Sequence, residues 1–559
     1  MVMYDMISEN NESTVVSEYE VKYGSATAYQ SEQDLERELL EQLQGMNYEY
    51  LDIKDEAALI ANLRERLERL NNIKLTDNEW KRLFDDILAS HNMGILEKTV
   101  LMQKKDCHVV NITLDSGLTK NIYLIDKVNI HKNSLQVINQ YVAPAKGVDN
   151  PAAYQNRYDV TILVNGFPLV HIELKRRGVD IKEAFNQINR YQRESFWSGC
   201  GLFEYVQVFV ISNGTQTKYY SNTTRWQHIG QQKNSNPKRK QTSNSYEFTS
   251  WWSDSNNQPL TDLRDFTTTF FARHTILNLL TKYCVLDSDN NLLVMRPYQI
   301  AATEKILQRI NMAHNNKLFG KKESGGYIWH TTGSGKTLTS FKTAQIVSGL
   351  DYIDKVLFVV DRKDLDYQTI KEYDRFEKGA ANGNTNTNIL KRQLEDPTCH
   401  IIITTIQKLS IFIKKNKEHN VFGKEVVLIF DECHRSQFGE MHREIVKRFK
   451  KYYLFGFTGT PIFAANMQAV KHPDMATTEQ VFGERLHSYN IVNAINDRNV
   501  LPFRVSYIST MRESKKIAEA QKVWGIAKEE ALMSEERIRN VVAYIIEHFN
   551  EQTKRNDKS

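Results

Sequence analysis

Apolar positions along this chain follow two successive regimes. Leucines at 35, 39, 40 and 43, opened by Ser31 and closed by Gly45, predict an amphipathic helix. Residues 56–105 carry more of the same pattern, including Leu63, Leu67 and Leu70. Short apolar runs then predict strands at 121–128, 157–164, 169–174 and 205–211. From about residue 270 apolar strands at 326–329, 356–360, 400–404, 426–430 and 453–457 are separated by helix-length segments. That alternation predicts a parallel α/β sheet. Residues 526–553 read as a helix with Val541, Ile545 and Ile546 on one face. Residues 1–30 show little periodicity, and 231–245 and 379–388 have loop composition. Within the first loop, Lys238, Arg239 and Lys240 are read as solvated charges rather than a phosphate contact.

Composition narrows the class but not the chemistry. A chain of 559 residues predicts roughly two to four domains. Hydrophobic content of 41% and charged content of 25% are those of ordinary globular protein. A net charge of +5 neither supports nor excludes nucleic acid, so any DNA-binding surface must come from local clustering. The five cysteines are far apart and form no CxxC pair, which argues against a disulfide framework or zinc site and for a reducing compartment. The polar, acidic start has no signal core, and no apolar run approaches the roughly 18 residues that span a bilayer. The expectation is a cytoplasmic protein with no membrane partner. Cys107, His108, Trp251 and Trp252 are read as packing residues.

The first candidate chemistry is His330-Thr-Thr332-Gly333-Ser334-Gly335-Lys336-Thr337, set between an apolar strand and a helix-compatible stretch. Successive N–H groups of such a turn cradle phosphate oxygens, and the helix that follows adds its dipole. Lys336 would neutralise the β- and γ-phosphates, and Thr337 would hold Mg2+. The strict pattern asks for glycine where His330 stands. Downstream, the apolar run 426–430 ends in Asp431 and Glu432, at the strand edge where open α/β sheets bind ligands. Asp431 would hold Mg2+ through water, and Glu432 would orient or activate the attacking water.

The second candidate lies upstream. Asp159 sits on one predicted strand, and Glu173 and Lys175 on the next. Two carboxylates on adjacent strands can share a metal, and a lysine two residues on points to the same face. Ile172 and Leu174 would then face the core. Parity raises a difficulty: Asn165-Gly166 signals a two-residue turn, and a plain hairpin would pair Asp159 with Ile172. The expectation is a bulge or three-residue turn that shifts the register and brings Asp159 opposite Glu173.

In the second regime the motifs resemble a superfamily 2 helicase-type motor. Arg296-Pro-Tyr298-Gln299 resembles the adenine-reading segment, and Val359-Val-Asp361-Arg362, with Leu365 and Gln368, resembles motif Ia. Thr404-Thr405-Ile-Gln407 resembles the next DNA-contacting motif, Asp431-Glu432-Cys433-His434 the DExH-like box, and Thr458-Gly459-Thr460-Pro461 the motif that couples hydrolysis to DNA. The upstream constellation resembles the PD-(D/E)xK nucleases, with Gln187 and Tyr191 matching the QxxxY of its RecB-like branch. Glu36 resembles the acid on that fold's first helix, with Glu32 as a rival.

A nuclease of that kind fused ahead of such a motor resembles the restriction (R, or motor) subunit of type I restriction-modification enzymes. His171-Ile-Glu-Leu-Lys175, Phe209-Val-Ile-Ser-Asn-Gly214 and the segment from Trp329 to Thr337 carry the likeness. It implies an α/β chain: a PD-(D/E)xK domain over 1–265 with a mixed sheet flanked by helices, a RecA-like lobe over 266–488, and a linker into a truncated second lobe over 489–559. It also implies ATP and Mg2+ as cofactors, and as partners double-stranded DNA and the methyltransferase (modification) and specificity subunits. The activity implied is ATP-driven DNA translocation with Mg2+-dependent cleavage. Because no later motor motifs follow, weak ATP hydrolysis and no translocation are expected of this chain alone. Competing readings are a repair or anti-phage helicase-nuclease outside restriction-modification, and a truncated binding module. A type III subunit fits less well, since there the nuclease follows the motor.

Overall fold

The computed structural model describes residues 13–21, 29–90, 92–104, 107–143, 156–223, 248–360, 387–435, 440–465, 475–497, 499–500 and 533–553. The first predicted helix is α1 (Glu32–Gly45), which buries Leu35, Leu39 and Leu43. Ser31 opens it: its hydroxyl accepts from the Asp34 N–H, while the Asp34 carboxylate accepts from the Ser31 N–H. The helical pattern over 56–105 is delivered in pieces. After α2 (Glu56–Leu70), Thr76 caps a new short helix that runs on into a π-turn over Arg82–Leu88, and a last helix spans Ile95–Gln103.

Six strands form the first sheet: β1 (Glu49–Tyr50), β2 (Leu135–Val142), β3 (Arg157–Val164), β4 (Phe167–Leu174), β5 (Val208–Ser212) and β6 (Thr217–Ser221). They lie side by side in chain order, antiparallel except for the parallel pairs β1/β2 and β4/β5. Strand β2 escapes the sequence reading because Gln136 and Asn139 interrupt its apolar run. Buried Gln136 is satisfied instead by Asn62 at 3.0 and 3.1 Å and by Glu49 at 3.2 Å. The strand expected over 121–128 is shorter and lies elsewhere; Thr119–Tyr123 pairs with Val109–Thr113 in a separate hairpin.

The expected register shift between β3 and β4 is present. A two-residue turn at Asn165-Gly166 closes Val164 on Phe167, but the ladder then shifts from Leu163↔Pro168 to Ile162↔Val170. Leu169 is the extra residue of a bulge. Beyond it Val160 faces Ile172, which carries Asp159 to the level of Glu173. Ile172 and Leu174 are in the core as expected, and since every residue of β4 is buried, Glu173 is enclosed as well. Helix α3 (Lys182–Glu194) contributes Ala184, Phe185, Ile188 and Tyr191 to this core.

Helix α4 (Pro297–Asn315) joins the two halves. Ile300 and Ala301 pack into the core of the first sheet, whereas Ile306, Ile310 and Ala313 pack into that of the second. The second sheet holds β7 (Gly326–His330), β8 (Lys355–Val360), β9 (Ile401–Thr405), β10 (Glu425–Phe430), β11 (Lys451–Thr458) and β12 (Arg485–Tyr489). Its order is β9-β8-β10-β11-β7-β12, and every neighbouring pair is parallel, as the alternating pattern predicts for the first five strands; β12 is a sixth that the pattern did not mark. Apolar clusters cover both faces. Helix α5 (Lys336–Val347) follows β7, and α6 (Ile406–Lys415) follows β9.

These elements form one unit, Met1–Val500. A second unit, Leu501–Ser559, contributes the helix Glu535–Thr553, on which Ile545 and Ile546 are exposed. Residues 231–245 lie outside the described residues, as does 379–386 of the second expected loop; Thr387 instead opens a helix to Glu395. Among the described residues no helix is long and apolar enough to cross a membrane.

Candidate functional site

The β3–β4 bulge builds the upstream site. The Leu174 N–H donates to Asp159 Oδ2 at 2.9 Å, so the carboxylate is tied to the strand that bears Glu173. Glu173 is fully buried, and its Oε2 has no hydrogen-bond partner. Burial pushes the Glu173 carboxyl up to about 8. Burial and then the charge of Glu173 hold Asp159 well above the usual carboxylate range. Lys175 Nζ donates to the Leu174 carbonyl at 2.8 Å and stands 3.4 Å from Glu173 Oε1 and 3.7 Å from Glu32 Oε1. Two enclosed carboxylates beside one cation lack positive charge, and the orphaned Glu173 oxygen marks where it is wanting. The set therefore fits Mg2+, an ion that keeps several waters and takes one or two carboxylates. Among the described residues there is no cluster of three or more His, Cys, Asp and Glu groups that could hold a metal.

Gln187 and Tyr191, one turn apart on α3, connect to the strand of Asp159 through its backbone. Gln187 Nε2 donates to the Tyr191 hydroxyl at 2.5 Å, which donates to the Arg157 carbonyl at 2.7 Å, two residues ahead of Asp159. Glu36 accepts from Asn139 Nδ2 at 2.5 Å and from the Gln140 side chain. Gln140, at φ 54°, lies between the Asn139–Val160 and Tyr141–Tyr158 pairs, alongside Asp159. Glu36 thus reaches the strand next to Asp159, while its rival Glu32 is the one near Lys175. The sequence reading passed over His171, which shares the face of Glu173 by parity. It is fully buried, its Nδ1 lies 3.3 Å from Thr161 Oγ1, and its Nε2 lies 3.4 Å from Glu173 Oε2. Burial lowers its pKa to about 4, so it stands neutral there.

At the second sheet the chain turns from β7 into α5 through Gly333 and Gly335, at φ 80° and 78°. Tyr298 Oη and Gln299 Nε2 both donate to the Ser334 carbonyl, at 2.7 and 3.1 Å, and the Ser334 hydroxyl donates to Thr331 O at 2.6 Å. Lys336 Nζ pairs with Glu432 Oε1 at 3.1 Å, which brings the loop lysine to the carboxylate at the end of β10. Thr332 and Gly333 are exposed at the turn, and Thr337 is half-buried on the first turn of α5. A cavity of about 210 Å³ beside the loop is lined by Arg296, Gln299, Gly335, Tyr219, Tyr220 and Phe248, so the first sheet contributes part of its wall.

Asp431 Oδ1 accepts from the Glu432 N–H at 2.9 Å. His434 Nδ1 lies 2.9 Å from Thr458 Oγ1, and the Thr460 N–H donates to the same hydroxyl at 3.1 Å, so the two segments touch directly. Thr405 caps α6 by accepting from the Lys408 N–H, and Gln407 is half-buried on its first turn. Arg362 and Gln368 lie outside the described residues. His330 is fully buried, with its Nε2 3.0 Å from His487 Nδ1. No sequence signal linked these two residues.

Comparison with known proteins supplies the family. Residues 29–228 match the type I restriction enzyme R protein N terminus, and residues 298–538 match the SWI2/SNF2 ATPase family. The type I restriction enzyme EcoprrI endonuclease subunit of Escherichia coli is 45% identical over 312 residues, 56% of this chain and 92% of that sequence. The SsaAORF53P endonuclease subunit of Staphylococcus saprophyticus is 40% identical over 537 residues, 94% of this chain and 52% of that one. The chain thus spans about half the length of this relative. The C-terminal part of the putative MpnIIP endonuclease subunit of Mycoplasma pneumoniae is 52% identical over 200 residues, 35% of this chain and 97% of that sequence. With these identities and coverages, the chain belongs to the endonuclease subunits of type I restriction enzymes.

Proposed function

We propose that this chain carries the nuclease and the first motor lobe of an ATP-dependent type I site-specific deoxyribonuclease, divided near residue 265. In this reading residues 1–265 form a PD-(D/E)xK domain, and 266–488 a RecA-like lobe that works on double-stranded DNA together with modification and specificity subunits. The observation that carries it is the bulge at Leu169, which sets Asp159 and Glu173 at one level beside Lys175. Asp159 and Glu173 would hold Mg2+, which when bound polarises the scissile phosphate and lowers the pKa of water. Lys175 would stabilise charge developing on the phosphate. Gln187 and Tyr191 would steady the strand under Asp159, and Glu36 would add acidity at its edge.

In the motor half, Thr332–Lys336 would cradle the ATP phosphates, with Lys336 leaving Glu432 for them. Thr337 and Asp431 would serve the nucleotide's Mg2+, and Glu432 would orient water. Arg296 and Gln299 would border the base. Arg362, Gln368, Thr405, Gln407, Thr458 and Thr460 would relay hydrolysis to DNA, Thr458 through His434.

Cleavage of plasmid DNA by the assembled enzyme with ATP and Mg2+ tests this. Lys175→Ala should stop cutting while ATP hydrolysis continues, and Lys336→Ala should stop both. Continued cutting by Lys175→Ala would remove the nuclease assignment and leave a motor alone.

A further inference from the structure

Where a phosphate loop of this kind ordinarily begins with glycine, this chain has His330, and its surroundings give that departure a purpose. His330 and His487 are both buried, and His487 Nε2 lies 3.0 Å from the Ser255 carbonyl. A carbonyl oxygen can only accept, so His487 carries its proton on Nε2 and offers Nδ1 as an acceptor. His330 must then donate from its own Nε2, across 3.0 Å. The tautomers are fixed in one direction, from the phosphate loop outward to Ser255.

Ser255 does not belong to the loop's sheet. It sits in a small hairpin closed by the Ser253–Pro259 bridge, and the strand leading into it is anchored on β6 by reciprocal Tyr219–Ser250 bonds of 3.0 and 2.9 Å. Trp252, fully buried, packs against Tyr219 and Phe270. The hairpin makes a second contact with β12, since Asn257 Nδ2 donates to the Ser488 carbonyl at 2.8 Å. It also holds the N-terminal segment, the Ser255 N–H donating to Val16 O at 2.9 Å and its hydroxyl to Ser17 O at 2.7 Å.

Strand β12 passes this connection on to the loop along two lines. His487 reaches His330 directly. Tyr489, two residues on, stacks on Tyr298 with centroids 3.7 Å apart, and Tyr298 donates to Ser334 O. The Thr331 N–H also donates to Tyr489 O at 2.9 Å, so the loop's main chain is held from β12 at its start and through Tyr298 at Ser334.

We infer that His330 and His487 are positioning residues that tie the geometry of the phosphate loop to the seating of the 253–259 hairpin, so that nucleotide binding and docking of the first-sheet half on the motor lobe favour each other. The inference rests on reading 330–337 as the nucleotide site. Such a coupling is reciprocal: whatever loosens the hairpin weakens the nucleotide, and the nucleotide tightens the hairpin. Two sites linked this way commonly change each other's affinity by roughly 5- to 150-fold.

The test uses the full chain, with the Mg2+ complex of a non-hydrolysable ATP analogue as probe. Calorimetry gives its Kd, and amide hydrogen exchange reports on residues 253–259. In the wild type the analogue should slow exchange across the hairpin. His487→Phe keeps a ring but loses both hydrogen bonds; it should bind the analogue at least about 5-fold more weakly and lose the protection at 253–259. His487→Gln, whose amide can accept from one side and donate to the other, should recover most of both. Asn257→Ala leaves the histidine chain intact and carries the test if the Phe variant does not fold; it should weaken binding in the same direction. Wild-type Kd in both His487→Phe and Asn257→Ala, or a hairpin indifferent to the analogue in the wild type, would overturn the inference. Wild-type binding by Lys336→Ala would instead overturn the nucleotide-site reading itself.

Discussion

The Tyr191 hydroxyl donates to the Arg157 carbonyl at 2.7 Å and accepts from Gln187, so a helix side chain fixes the strand that carries Asp159. Its ring packs against Tyr158 and His171, with centroids 4.9 and 6.1 Å away. Tyr191→Phe would keep the ring and remove the bond. The expected loss of stability is about 1 kcal/mol, read by urea unfolding. DNA cleavage should fall more than that loss explains, and half-maximal cutting should need more Mg2+, because the carboxylate pair is then less well placed. Unchanged Mg2+ dependence would make Tyr191 a packing residue only.

Glu173 and Asp159 oppose each other in a site with too little positive charge. Glu173→Gln keeps the shape and removes one acid, so without metal the variant should melt at or above the wild-type temperature. Mg2+ or Mn2+ should raise the melting temperature of the wild type by binding only the folded state, and the gain should vanish in the variant. A variant that melts several degrees lower without metal would show that Glu173 is structural. Thermal scans with and without the ion decide between the two.

How far the sequence led differs between the two sites. For the second sheet, buried parallel strands read as continuous apolar runs, so every central strand and the loop between β7 and α5 were visible in the one-dimensional pattern. For the upstream site, parity alone required a register shift, and Leu169 supplies it. Parity could not say which of the two devices would act. Strand β2 stayed hidden because buried Gln136 is paid for by Asn62 and Glu49, partners far away in the chain. His487 stayed hidden for a similar reason: its partners are a loop histidine and a hairpin carbonyl, and no local pattern links them. His171, in contrast, was available from the same alternation that selected Glu173 and Lys175.

Acid should destabilise the fold through its buried neutral histidines. His442 packs between Phe430 and Phe482, at centroid distances of 5.0 and 5.7 Å, and burial lowers its pKa from 6.5 to about 4. Below pH 6.5 the unfolded chain takes up this proton and the folded chain does not. The stabilisation is therefore complete above about pH 6.5 and is lost as pH falls toward 4, by an amount on the order of 2–3 kcal/mol. His171 and His487, also lowered to about 4, add in the same window. His442→Phe should flatten the fall of stability between pH 6.5 and 4.5 in denaturant titrations. An unchanged slope would mean that His442 is charged in the folded protein.

The two loop glycines should respond differently to the same substitution. Both have positive φ, 80° at Gly333 and 78° at Gly335, a region that costs an L residue roughly 1 kcal/mol. At Gly333 a Cβ would meet nothing within 4 Å, so Gly333→Ala should lose only about that amount. At Gly335 a Cβ would stand 2.6 Å from Gln299 Nε2. The glutamine can swing away, but only by giving up its bonds to Ser334 O at 3.1 Å and Gly335 O at 3.4 Å. Gly335→Ala should therefore cost about 1 kcal/mol more than Gly333→Ala in unfolding measurements. It should also bind the ATP analogue about 10-fold more weakly than Gly333→Ala, the fall that a further loss of about 1.4 kcal/mol in loop preorganisation gives. Equal affinities in the two variants would show that Gln299 does not hold the loop in its binding form.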